Sequence, residues 1–124
     1  MLLIDANAIL RYMMNDNHDM AVKVCDLIAK SKVFVRYEVL AEVIYVLSKV
    51  YLLPRNEIAD GICIFLAHPN LGTESDEIIL LALKTYKNVH IDFVDCVLYA
   101  FKGVYGYDVF TFDKKLNSMM NKLN

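Results

Sequence analysis

Acidic side chains stand at four separated places in this chain where their type and spacing suit chemistry. Asp5 follows an apolar run, Leu2 to Ile4, and precedes a predicted helix. Glu42 lies within a long predicted helix, Asp95 lies near the start of another, and Asp113 ends the last predicted strand. Carboxylate oxygens are preferred ligands of Mg²⁺ and Mn²⁺, and such a cation can polarise a phosphoryl oxygen and activate water. The chemistry indicated is metal-assisted hydrolysis of a phosphodiester.

Three of these acids have structural alternatives that involve helix ends, and the residues alone leave both interpretations open. Asp5 and Asp113 are of the residue type that caps the N-terminus of a following helix. Asp92 is suited to cap the helix in which Asp95 would be a first-turn acid favoured by the helix dipole. Asp5 is the hardest to explain by capping alone, because a charged group beside a buried strand is costly unless it is paired or metal-bound.

Glu42 shares a stripe of its predicted helix with Glu38, and a solvated surface is the structural alternative for both. Acids spaced i, i+4 repel each other, so the position of at least one of the two is not explained by helix stability. Four carboxylates gathered at one site would raise one another's pKa unless a cation lay among them. A divalent metal ion is therefore the cofactor that this set of acids predicts.

Short apolar strands alternate with helices along the chain, a pattern typical of crossover connections and a mostly parallel sheet. Strands are predicted at Leu2 to Ile4, which is expected to be buried on both faces, at Val33 to Val35 and at Tyr107 to Phe112. A further short extended stretch is predicted where Pro69 and Gly72 end the preceding helix, and the segment Val89 to Asp92 precedes the helix that begins near 93. Helices are predicted over about 7–14, 18–30 and 38–51, from Pro54 to about Leu66, over 75–87, from about 93 to the glycines at 103 and 106, and after Asp113. The prediction is an α/β fold of four or five strands whose carboxyl ends share one edge, which lets the acids converge.

Length and composition limit what these acids belong to. The chain has 124 residues, of which 57% are hydrophobic, so we expect a single domain spanning residues 1–124. Thirteen Lys and Arg against fifteen Asp and Glu give a net charge of −2, which excludes a global basic field and leaves any polyanion to a local patch. Three cysteines far apart and three scattered histidines predict neither a disulfide framework nor a zinc site.

Neither a membrane span nor a secretory signal is indicated. No run reaches the ~18 apolar residues of a transmembrane helix, and the N-terminus lacks the basic-then-apolar layout of a signal peptide. The predicted location is the cytoplasm, with no membrane partner.

The segments around the four acids resemble the motifs of the PIN domain nucleases, and within that family the VapC-like toxins of type II toxin–antitoxin modules. In chain order the matching segments are Leu3-Ile4-Asp5-Ala6-Asn7, Leu40-Ala41-Glu42-Val43, Asp92-Phe93-Val94-Asp95-Cys96 and Thr111-Phe112-Asp113-Lys114. The resemblance covers nearly the whole chain. It implies a three-layer α/β/α sandwich around the mostly parallel sheet.

The resemblance also implies roles for individual residues. The catalytic and metal-binding acids would be Asp5, Glu42, Asp95 and Asp113. Asn7 and Thr111 would assist through hydrogen bonds to ligands or water, and Asp92 would support or replace Asp95. The implied activity is a Mg²⁺- or Mn²⁺-dependent endoribonuclease, and the implied partners are an RNA substrate, a cognate antitoxin and a second copy of the chain in a homodimer.

A few basic residues are candidates for contacts with RNA phosphates. They are Arg11, Lys102, Lys114 and Lys115. Solvated helix surface and pairing with a helix C-terminus are the structural alternatives for these cations. If they bind phosphates, the affinity for RNA should fall steeply with salt.

Three other functions lack their defining residues in this chain. Asn7 stands where the motif of haloacid-dehalogenase-like phosphatases has a second aspartate, so their general acid is missing. No G-x-G-x-x-G follows the first strand, and no G-x-S-x-G occurs, which excludes a dinucleotide-binding fingerprint and a serine-hydrolase elbow. The alternative that stays open is a non-catalytic PIN fold that binds RNA or a protein.

Overall fold

The computed structural model describes residues 1–123, which form two compact units. The first unit contains Met1–Glu74, and the second begins at Ser75. The prediction of one domain over residues 1–124 stays a prediction.

The first unit contains a small parallel sheet and four helices. Its elements are β1 (Leu2–Leu3), α1 (Ala6–Met14), α2 (His18–Lys30), β2 (Val33–Phe34), α3 (Tyr37–Lys49), α4 (Arg55–Leu66) and β3 (Leu71–Gly72). The strand order is β1-β2-β3, with Leu2 opposite Val33 and Val33 opposite Leu71. Because the strands are parallel, α1 and α3, which follow β1 and β2, both begin near the same edge of the sheet.

Burial differs between the central and the edge strand. Val33 and Val35, in and just after β2, are buried, as expected for a strand with neighbours on both sides. In β1, Leu2 and Leu3 are exposed, Leu3 to 61%, and only Ile4 beyond the strand is buried. The prediction that the first strand is buried on both faces is therefore wrong, because no described residues cover the side chains of Leu2 and Leu3. β1 is also an edge strand that pairs only with β2.

The helices of the first unit form where the apolar spacing predicts them. Asn17 caps α2 by accepting a hydrogen bond of 3.1 Å from the backbone N–H of Met20. At the C-terminus of α1, the cap residue Asn15 has the left-handed conformation that ends many helices, with φ of 50°. Pro54 is the N-cap of α4 rather than its first helical residue, a shift of one position.

The second unit is helical, and its elements are α5 (Asp76–Asn88), α6 (Phe93–Tyr105) and α7 (Lys114–Asn121). Gly103 lies inside α6, so the prediction that it ends this helix is wrong. A Cβ at Gly103 would lie 3.3 Å from Cδ2 of Leu81 in α5, and the glycine therefore allows the two helices to approach closely. The helix ends at Gly106, whose φ of +71° suits glycine.

The segment Tyr107 to Phe112 is not a strand, and the sheet formed by the described residues has three strands rather than four or five. Aromatic packing takes the place of strand pairing at its start, because the ring of Tyr107 stacks on that of Phe101 in α6 at 5.9 Å. Phe110 and Phe112 are 86% and 88% exposed. The three-layer sandwich stays a prediction.

No helix within residues 1–123 is both long and apolar enough to span a bilayer. The longest helices have 13 residues, whereas a transmembrane helix needs about 20.

Candidate functional site

Asp5 links the first strand to the first helix. It is the N-cap of α1, and its Oδ1 accepts a hydrogen bond of 2.9 Å from the backbone N–H of Ala8. The side chain is exposed, and within residues 1–123 this is its single hydrogen bond, which leaves Oδ2 available. Asn7 is exposed in the first turn of the same helix. Capping and ligand binding are therefore compatible at Asp5, because they use different oxygens.

The two acids of α3 differ in their partners. Glu38 accepts a hydrogen bond of 2.6 Å from Nε of Arg36. A backbone hydrogen bond, followed by the one from Arg36, lowers the pKa of Glu38. Glu42, one turn later, is exposed and has no hydrogen-bond or ion-pair partner among the described residues. Of the two repelling acids, Glu42 is thus the one whose position local pairing does not explain.

Arg11, predicted as an RNA contact, is held by neighbours in the first unit. Its Nη1 lies 3.0 Å from Oδ1 of Asp16, and its Nη2 donates a hydrogen bond of 3.3 Å to the hydroxyl of Tyr51. The Tyr51 hydroxyl in turn donates to Asp16 at 2.7 Å, and this hydrogen bond is the main reason that the pKa of Tyr51 is raised. The charge of Arg11 is therefore already compensated, and its role in RNA binding stays a prediction.

Two acids of the second unit, Asp92 and Asp113, lie close enough to Asp95 to affect its pKa. Asp92 is the N-cap of α6 but makes no side-chain capping bond, and Asp95 lies in the first turn of that helix. Burial is the main cause that raises the pKa of Asp95, and the negative charges of Asp92 and Asp113 raise it further. The structure thus brings Asp113, at the start of α7, near the acids at the start of α6.

Asp113 is held in place by two local hydrogen bonds. Its Oδ1 caps α7 by accepting from the backbone N–H of Leu116 at 2.7 Å. Its own backbone N–H donates to Oγ1 of Thr111 at 3.0 Å, and the carbonyl of Thr111 accepts from the side chain of Asn117 at 2.9 Å. These hydrogen bonds fix the backbone just before α7. The role of Thr111 in hydrogen bonding to ligands or water stays a prediction.

Three lysines of the second unit lie at helix ends, one at the C-terminus of α6 and two at the N-terminus of α7. Lys102 lies in the last turn of α6, where the dipole favours a cation. Lys114 and Lys115 are the first two residues of α7, whose first turn contains no acid, and a cation there opposes the dipole. Lys115 donates a hydrogen bond of 3.3 Å to the carbonyl of His90. The helix-dipole alternative therefore applies to Lys102, and solvated helix surface stays the structural alternative for Lys114 and Lys115, which are both exposed.

The acids of the second unit suit a hard cation by their chemistry. No three His, Cys, Asp or Glu side chains within residues 1–123 are grouped closely enough to hold a metal ion by themselves. Mg²⁺, however, usually takes one or two protein carboxylates and keeps several waters. Asp95, with a carboxyl pKa raised by burial and by like charges, is a site where a bound cation would offset an unfavourable charge. Asp95 and its acidic neighbours are carboxylates of the chemical type that Mg²⁺ binds.

Two cavities of the first unit were not predicted from the sequence. One of about 760 Å³ includes Tyr12, His18, Phe65 and His68 in its lining. The other, of about 200 Å³, lies beside Asp5 and is lined in part by Lys23. Neither had a signal in residue spacing, because a cavity between helices depends on how their faces pack.

Comparison with known proteins yields one family. The family model described as PIN domain matches residues 2–121 and so includes all four segments that carry the acids. No curated protein and no solved structure matches the chain.

Proposed function

The chain belongs to the PIN domain family, and we propose that it is a metal-dependent ribonuclease that hydrolyses RNA phosphodiester bonds. PIN domains are generally nucleases. The observation that carries the proposal is the family match over residues 2–121, which includes the four acidic segments. The proximity of Asp92 and Asp113 to Asp95, whose pKa is raised, agrees with it. The like charges beside Asp95 oppose its ionisation, whereas a bound cation would offset them.

The proposal assigns metal binding and catalysis to the acids of the four motifs: Asp5, Glu42, Asp95 and Asp113. A bound Mg²⁺ or Mn²⁺ supplies Lewis-acid polarisation of the phosphate and a more acidic water. Asp92 supports Asp95, Thr111 positions Asp113, and Asn7 offers its side-chain amide to water or substrate. The three-layer sandwich that the resemblance implies is part of the proposal.

Lys114 and Lys115 support RNA as the substrate. Two cations at the N-terminus of α7 cost stability, and phosphate binding offers a reason for that position. Lys102 and Arg11 are assigned weaker roles, since a helix dipole or an ion pair explains each of them.

The toxin role rests on the resemblance of the four motif segments to VapC-like proteins. With this role we propose three further properties: a cognate antitoxin blocks the site, the protein forms a homodimer, and it is located in the cytoplasm. The competing function is a PIN fold that binds RNA or protein without cleavage. One observation favours it, namely that no ready-made group of three metal-binding side chains occurs in the described part of the chain.

The test is an RNA cleavage assay with purified protein and both structured and single-stranded RNA, with and without Mn²⁺. Asp5→Asn and Asp95→Asn are assayed in parallel. The proposal expects metal-dependent cleavage that both variants lose. Cleavage without metal, or full activity in both variants, would refute the mechanism. RNA binding without cleavage, in protein freed of any antitoxin, would establish the competing function.

A further inference from the structure

A small cavity opens between α1 and α2, directly beside Asp5. Its volume is about 200 Å³, and its lining includes Asp5, Asn7, Ala8, Met20, Lys23 and Val24. It therefore joins a proposed metal-binding acid to a lysine on the neighbouring helix.

Lys23 is the cation of this cavity whose charge is available. Its side chain is exposed, and it has no ion-pair or hydrogen-bond partner among the described residues. Arg11 also lines the cavity, but Asp16 compensates its charge at 3.0 Å. An anionic group that enters the cavity would therefore be attracted mainly by Lys23.

The size and lining of the cavity suit one flat group. A volume of 200 Å³ corresponds to about seven water molecules, which is below the roughly 300–1,000 Å³ of pockets that enclose a whole drug-sized ligand. Ala8, Met20 and Val24 provide an alkyl wall. Such a wall buries the apolar face of a single nucleobase, while the ammonium of Lys23 contacts a phosphate at the rim.

We propose that this cavity is the subsite for the nucleotide next to the scissile phosphodiester, with its base against Ala8, Met20 and Val24 and its phosphate on Lys23. The inference rests on the proposed ribonuclease function, because Asp5 lines the same cavity. An RNA strand seated here has its backbone beside Asp5, so the subsite positions the substrate and Lys23 is a positioning residue.

The test combines a charge variant and a cavity-filling variant, each with a matched control. Lys23→Ala removes the cation, and Lys32→Ala removes an exposed lysine just before β2 that does not line the cavity. Ala8→Leu fills the cavity, and Ala29→Leu makes the same change at an exposed position of α2. Thermal unfolding of each variant verifies that it is folded, and Lys23→Arg tests for rescue by a second cation.

The expected result is a KM for single-stranded RNA raised about fivefold in Lys23→Ala, with kcat nearly unchanged and rescue in Lys23→Arg. The slope of log affinity against log salt should decrease by about 0.7, the contribution of one phosphate on a single strand. Ala8→Leu should raise KM likewise, and both controls should match the unmodified protein. If the protein cleaves RNA but Lys23→Ala and Lys32→Ala have equal KM values, the subsite proposal is overturned and the ribonuclease proposal is not.

A binding measurement distinguishes failure of the ribonuclease proposal from failure of the subsite proposal. RNA affinity is measured by fluorescence anisotropy in the Asp95→Asn background, where cleavage does not interfere. If the unmodified protein cleaves no RNA, the ribonuclease proposal fails. A loss of affinity on adding Lys23→Ala still supports a nucleotide subsite in that case, and unchanged affinity overturns it.

Discussion

The backbone N–H of Ala8 donates a hydrogen bond of 2.9 Å to Oδ1 of Asp5, so the first motif acid caps a helix. The N–H of Leu116 makes the same bond to Asp113 at 2.7 Å. Asparagine caps a helix about as well as aspartate but has no charge. Capping and metal binding are therefore separable by substitution at both residues.

Asp5→Asn should abolish cleavage while leaving stability nearly unchanged, because the cap remains and the charge is lost. The metal-assisted step contributes several kcal/mol, so we expect at least a ~100-fold decrease in kcat. Asp5→Ala should in addition lower the free energy of unfolding by about 1 kcal/mol through the lost cap. Urea unfolding and RNA cleavage measure the two effects. Retained activity in a stable Asp5→Asn protein would remove Asp5 from the catalytic set.

Binding of Mn²⁺ should raise the melting temperature of the protein in the absence of RNA. A ligand at 100 times its Kd stabilises the native state by about 2.7 kcal/mol, which calorimetry with a chelator reference can detect. The double variant Asp95→Asn, Asp113→Asn should lose this effect while keeping the cap of α7. An equal rise in the double variant would place the metal elsewhere.

Asp95→Asn should increase stability at neutral pH in metal-free buffer. The pKa of Asp95 is raised above 3.8, so the folded state binds its proton more tightly than the unfolded state does. Its contribution to stability therefore decreases as pH rises from the ordinary pKa through the raised one. Asparagine removes this penalty, by less than about 1 kcal/mol for such a partly exposed charge.

The measurement for this prediction is urea unfolding from acid to neutral pH. The advantage of Asp95→Asn over the unmodified protein should disappear at acid pH, where both side chains are neutral. Asp108→Asn, at an exposed acid after α6, serves as the control for loss of a carboxylate. A destabilised Asp95→Asn protein at neutral pH would contradict the electrostatic interpretation.

Lys114→Gln and Lys115→Gln should weaken RNA binding while stabilising the protein. Each removes a cation that opposes the dipole of α7, which is worth about 0.3–1 kcal/mol, less at Lys115 because it also donates to the carbonyl of His90. Together they should reduce the salt slope of single-stranded RNA binding by about 1.4, or 0.7 for each phosphate. Lys84→Gln, at an exposed lysine of α5, is the control. Unchanged RNA affinity in the double variant would exclude these lysines from the RNA surface.

Local features of the fold could be predicted from the sequence because they depend on residues a few positions apart. Apolar spacing located the helices to within one or two residues at most ends, and Asp5, Ser75 and Asp113 stand at helix starts, where their side chains cap the first turn. The four acidic segments were also identified from the sequence alone, and the family match includes them. Their assembly into one metal site stays a prediction.

Only the tertiary structure decided features that depend on residues far apart in the chain. Tyr107 packs against Phe101 instead of continuing into a strand, and Gly103 allows close approach to Leu81 instead of ending a helix. The partners of Arg11 and the available charge of Lys23 followed in the same way from contacts between helices and loops. Strand pairing, ion pairing and cavities arise where distant surfaces meet, and a periodic pattern of residues does not specify which surfaces those are.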